Sequence, residues 1–192
     1  MSLLLGKVDE TNVARTRGIL SGATVLGAGG AAWCFAALLN WNARSAWAIP
    51  GAMVATIALL GLCAARLLAT RRTRSADDPA ASAAGKRAGI WFGIIFGAEA
   101  ALIAISSVLL ARGGLGLWIP ATAALIVGIH FLPLARVFAA PIYYGTGIFS
   151  VLGVLACLLI PDMALRLLCV GLVMAAVLWG TSWLLLWRTR LG

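Results

Sequence analysis

The sequence predicts an all-α integral membrane protein, with six transmembrane helices in one bundle, two or three repeated helical hairpins, and both termini cytoplasmic. Three observations predict this class. Hydrophobic residues fill 62% of the 192 positions and charged residues only 11%, far from the balance of a soluble globule. The apolar residues fall in six long runs, rich in Leu and Ala and without the alternation of a transmembrane barrel. The basic residues between those runs are distributed lopsidedly.

A bilayer core about 30 Å thick asks for roughly 20 apolar residues per helix. The first run, 18–39, follows a polar stretch and is too long for a signal-peptide core, so it is expected to stay attached as a helix. The second, 47–69, opens on Ile49-Pro50 and closes at Arg66. Residues 70–89, TRRTRSADDPAASAAGKRAG, are too small, polar and charged to bury apolar area and are expected to form a flexible cytoplasmic loop. Runs 90–111 and 118–138 follow, joined by a short turn. The fifth, 142–160, is the shortest, and a half-buried or re-entrant segment is its alternative. The sixth spans 163–187. Together they make a single transmembrane domain, 1–192.

Short loops rich in Lys and Arg stay on the cytoplasmic side. With the N-terminus inside, that side receives Lys7, Arg15, Arg17, Arg66, Arg71, Arg72, Arg74, Lys86, Arg87, Arg136, Arg188 and Arg190, leaving Arg44, Arg112 and Arg166 outside. The net charge of +9 thus has a topological cause and does not mark a nucleic-acid binder. Contact of the 66–87 segment with anionic lipid head groups is compatible with the same charges.

Two stretches repeat. A shift of 70 lays Ile49-Pro50 on Ile119-Pro120 and Ala65-Arg66 on Ala135-Arg136; a shift of 71 lays Gly18, Ile19 and Gly22 on Gly89, Ile90 and Gly93. Ile160-Pro161 opens helix six as Ile49-Pro50 and Ile119-Pro120 open helices two and four, although the rest of the last hairpin does not match and proline is favoured at helix starts in any case. Gly89, Gly93 and Gly97 form a GxxxGxxxG ridge on helix three, with Gly18 and Gly22 in the matching place on helix one; such ridges let helix backbones approach closely. Cys34, Cys63, Cys157 and Cys169 have no metal-ligand spacing and read as small core residues, and neither metal nor other cofactor is expected. Trp41, Trp47 and Trp118 fit an outer aromatic belt, and Trp91, Tyr143, Tyr144 and Trp187 an inner one. Trp179, Trp183 and Trp187 form a stripe on helix six, and Asp162 caps its start.

The candidate chemistry sits at Glu99 and His130, with Ser106 on the face of Glu99. At 1.5 Å per residue both ionisable groups lie about 15–18 Å into their helices, from opposite ends, which places them at nearly the same depth. A lone charge there costs at least roughly 3 kcal/mol, so such residues pair and mark ion or proton pathways. Helix three is therefore expected to be central, packed by its glycines on one side and polar on the other. Pro133 removes an amide, leaves the Ile129 carbonyl as an expected partner for the His130 ring, and reads as a hinge.

The stretches GIHFLPLARVFAAPIYYGTG, 128–147, and WFGIIFGAEA, 91–100, resemble small multi-pass bacterial membrane proteins of uncharacterised (domain of unknown function) type. The resemblance implies a bacterial inner-membrane location and carries no activity. Three functions remain. The first is a small transporter or channel for a proton, cation or small polar solute, working through Glu99 and His130. The second is a non-catalytic scaffold that grips a second copy or another membrane protein through its glycine and tryptophan faces. The third, an intramembrane enzyme on a lipid or quinone, ranks last because there is no nucleophile motif, phosphate loop or metal set.

Overall fold

The computed structural model describes residues 2–40, 48–71 and 79–188 of the chain, and side chains from Gly18 onward except for a few near the gaps. Arg44, Trp41 and Trp47, and Arg72, Arg74 and Arg190, lie outside the described residues. Six α-helices are present: α1 Ser2–Asn40, α2 Ala48–Arg71, α3 Pro79–Arg112, α4 Ile119–Val137, α5 Ile142–Leu158 and α6 Met163–Arg188. All but α5 are long and apolar enough to cross a membrane, with spans Gly18–Leu39, Ala48–Ala69, Gly85–Arg112, Gly116–Val137 and Met163–Arg188. The chain is a helical membrane protein. At 17 residues α5 is about 25 Å long, the short end of what a bilayer needs.

Two boundaries depart from the sequence expectation. The polar stretch before Gly18 is already helical from Ser2. The expected flexible loop is largely helix as well: α2 runs on to Arg71 and α3 starts at Pro79. The reason is local. Pro79 suits a first helical position and is followed by Ala80, Ala81, Ala83 and Ala84, strong helix formers that need no core to favour the helix.

The helices form a row, α2–α1–α6–α5–α4–α3, that folds enough for α4 to touch α6 as well. Neighbours run antiparallel where paired residues define the direction. Along the α1–α6 seam Ser182 meets Ala23, Leu178 meets Gly29 and Gly171 meets Ala37, so one helix ascends as the other descends. The same sense holds for α5 and α6 (Thr146 with Thr181, Gly153 with Val173) and for α3 and α4 (Phe92 with Phe138, Glu99 with His130).

The largest seam joins α1 and α6, and on α1 its sequence signature is buried, mostly small residues at alternating steps of three and four. Leu20, Ala23, Gly27, Gly30, Cys34 and Ala37 are buried on α1; Gly171, Met174, Leu178, Ser182 and Leu185 are buried on α6. A Cβ added to Gly171 would sit 2.5 Å from the Ala37 Cβ and 2.9 Å from the Trp33 carbonyl, so the backbones meet there as only glycine permits. Polar side chains close the seam. Ser182 Oγ donates to the Ala23 carbonyl at 2.8 Å and Trp179 Nε1 to the Gly27 carbonyl at 3.1 Å. On the α5–α6 contact the Thr146 and Thr181 hydroxyls share a hydrogen bond of 2.9 Å.

The α4–α5 crossing is equally close: a Cβ on Gly147 would sit 2.8 Å from the Gly128 carbonyl. The expected glycine ridge behaves oppositely. Among the described residues nothing lies within 4 Å of a Cβ added to Gly89, Gly93 or Gly97, and all three are exposed. Helix three is not central either; it is an end of the row and packs chiefly on α4. The glycine spacing is local sequence, whereas contact needs a facing helix, and α3 turns its ridge away from the bundle.

The aromatic and charged markers also sort themselves. Trp179 is packed on α1, while Trp183 and Trp187 are exposed, so the stripe is split. Tyr143, expected in the inner belt, is buried against Phe131 and Phe138, whereas Trp91, Tyr144 and Trp118 are exposed. Asp162 Oδ1 accepts the Leu165 amide at 2.7 Å and caps α6 as expected. Arg166 donates twice to the Ile160 carbonyl, at 2.9 and 2.7 Å, and lies 5.1 Å over the Trp118 ring.

Candidate functional site

Glu99 is the only buried residue of α3 among those described. The apolar residues around it on the same helix, Ile94, Phe96, Leu102 and Ile105, are exposed. This inverts the usual ranking of what goes inside a water-soluble protein, and a bilayer explains it: lipid solvates the apolar side chains, and the carboxyl turns to the neighbouring helix.

His130 meets it from α4. The Nδ1 atom lies 3.5 Å from Glu99 Oε1, with the side chains 13% and 8% exposed. The same Nδ1 is hydrogen-bonded to the Val127 carbonyl. A carbonyl can only accept, so Nδ1 carries the proton and donates it there, which leaves Nε2 as the nitrogen that gains or loses a proton. The expected partner, the Ile129 carbonyl released by Pro133, is not used. Helical side chains lean back towards the N-terminus, so the ring reaches a carbonyl three residues earlier rather than the adjacent one.

With Nδ1–H committed to the backbone, Glu99 Oε1 receives at most a long, shared contact. Glu99 Oε2 is buried and has no hydrogen-bond partner among the described residues. A carboxyl whose task is to bolt two helices together is expected to have its oxygens satisfied. Here one oxygen lies against the His130 ring, and the other receives no hydrogen bond from the described residues.

Aromatic side chains wall one end of the pair. Phe131 packs on the His130 ring at 4.3 Å between centroids and on Tyr143 at 6.0 Å; Phe138 joins Tyr143 at 6.3 Å and Phe92 at 6.1 Å; Phe92 stacks on Phe96 at 5.9 Å. Phe92 precedes Glu99 by seven residues and Phe138 follows His130 by eight, two helical turns toward the same end of the bundle. The sequence reading passed over this cluster. Its signal was the seven-residue spacing of Phe131, on the helix that carries His130, and Phe138, at the C-cap of that helix.

The other predicted residues stand apart from the pair. Ser106 is about two turns beyond Glu99, and its hydroxyl donates to the Ile103 carbonyl of its own helix at 3.1 Å. Pro133 lies inside α4 on its exposed side, one turn from His130. Gly89, Gly93 and Gly97 face outward. Among the described residues no group of three or more His, Cys, Asp or Glu side chains could hold a metal ion, and the four cysteines are free thiols. Comparison with family models, with curated proteins and with solved structures gives no match to this chain.

Proposed function

We propose that the protein is a small membrane transporter or channel that passes a proton, a cation or a small polar solute by way of Glu99 and His130. The observation that carries this reading is the buried, half-satisfied carboxyl 3.5 Å from an imidazole on helices that are otherwise apolar. Both groups take up and release protons, at Glu99 Oε2 and His130 Nε2, and the open oxygen can ligate a cation or hydrogen-bond a polar solute. Pro133, one turn on, is the hinge by which the end of α4 moves against α3.

In this reading all six helices span the bilayer of a bacterial inner membrane, both termini are cytoplasmic, and the sequential antiparallel pairs α1–α2, α3–α4 and α5–α6 are the repeated hairpins. The test is proton and monovalent-cation flux in proteoliposomes, comparing wild type with Glu99→Gln across about pH 5 to 8, where histidines titrate. Flux in the wild type and loss of at least about tenfold in a folded variant is expected for a residue on the pathway. Equal flux in both would remove Glu99 from it.

A second reading has one observation in its favour. The Gly89, Gly93, Gly97 ridge is exposed and meets none of the described residues, a surface that suits a helix of a second copy or of another membrane protein. A scaffold built on it would show no flux alone and would co-purify with one stoichiometric partner.

A further inference from the structure

We propose that the cleft between the beginning of the α3 span and the end of α4 binds the headgroup of an anionic phospholipid. The cleft has a volume of about 370 Å³ and is lined by Arg87, Ala88, Trp91, Arg136 and Val137. Two guanidinium groups from different helices thus share one opening. Among residues with described side chains the acids are Glu99 and Asp162. Glu99 faces His130, twelve residues or about 18 Å along α3 from Arg87, and Asp162 caps α6. No carboxylate therefore neutralises the arginines within the described residues, and the cleft is a site for an anion.

Geometry favours the phosphodiester of a lipid. Guanidinium planes bind phosphate oxygens in pairs, and two of them on one cleft suit a group with several acceptor oxygens. The apolar span of α3 begins at Gly85, so Arg87 and Trp91 stand where a bilayer gives way to water. Trp91 is 47% exposed and amphipathic, as interfacial anchors are. On either side of it Ile90 and Ile94 are exposed along α3 and offer apolar surface for acyl chains next to the charged cleft.

The experiment is native mass spectrometry of the full chain in detergent with equal amounts of dioleoylphosphatidylglycerol and dioleoylphosphatidylcholine. A preference for the anionic lipid of about twenty-five-fold is expected, from about fivefold for each of the two arginines near the headgroup. Arg87→Gln combined with Arg136→Gln should bring the two lipids to parity, whereas Arg112→Gln, at the opposite end of α3, should leave the preference intact. If the double variant does not fold, each single substitution is expected to lower the preference to about fivefold. Parity in the wild type, or an undiminished preference in the folded arginine variants, would overturn the proposal. So would complete displacement of the lipid by millimolar glycerol 1-phosphate, which would make the cleft a site for a soluble phosphate.

Discussion

The α1–α6 seam and the α3–α4 seam hold helices together by different means. On α1 small residues repeat along the buried face and Gly171 of α6 lets the backbones close on each other, and the remaining hydroxyl and indole groups find carbonyls across the gap. On α3 a single buried residue, Glu99, faces α4, with Phe92 and Ile95 beside it, while the glycines point outward. Close packing distributes stability over a whole helix; a lone polar contact concentrates it at one level and leaves the rest of the helix free to move or to meet another partner.

That contrast can be broken first at Gly171. Gly171→Val places methyl groups where a Cβ alone would meet Ala37 and the Trp33 carbonyl, and overpacking of this kind costs about 1–3 kcal/mol or more. A drop of that size in the unfolding free energy in mixed micelles is expected; an unchanged value would mean that the seam opens readily. Next comes the polar contact itself. A double-mutant cycle of Glu99→Gln and His130→Ala should give a coupling of about 0.6–1.7 kcal/mol, the range for polar contacts between membrane helices. Zero coupling would show that the two side chains ignore each other.

Smaller effects sharpen the comparison. Ser182→Ala removes one hydroxyl-to-carbonyl bond across the α1–α6 seam and should cost about 0.6 kcal/mol, read in the same unfolding assay. Gly93→Val, with nothing near the added atoms, should change stability by less than about 0.5 kcal/mol, as at exposed sites generally. Against Gly171→Val it separates glycines that pack from glycines that do not. A large loss at Gly93 would reveal a partner for the ridge.

The pairing of Glu99 with His130 was legible because depth in a membrane helix follows from counting residues, and two costly groups at one depth on consecutive helices have reason to meet. The partner of the ring was not, since Val127 rather than Ile129 is reached only once the lean of the side chain is known. Nor was the aromatic wall, whose members come from α3, α4 and the start of α5. The neighbour of the glycine ridge was not legible for a related reason: GxxxG states that a backbone can be approached, and says nothing of which helix approaches it.

By itself the sequence determined the helices, five membrane-length spans among them, and the depth of the ionisable pair, because hydropathy, helix rise and capping are properties of the local chain. The tertiary structure decided the order of the helices in the row, the outlying place of α3, the glycines that touch and the cleft between Arg87 and Arg136. In a bilayer an apolar face is as well solvated by lipid as by another helix, so hydrophobicity does not mark the buried side. Shape and the few polar groups choose the neighbours, and those choices involve residues far apart in the chain.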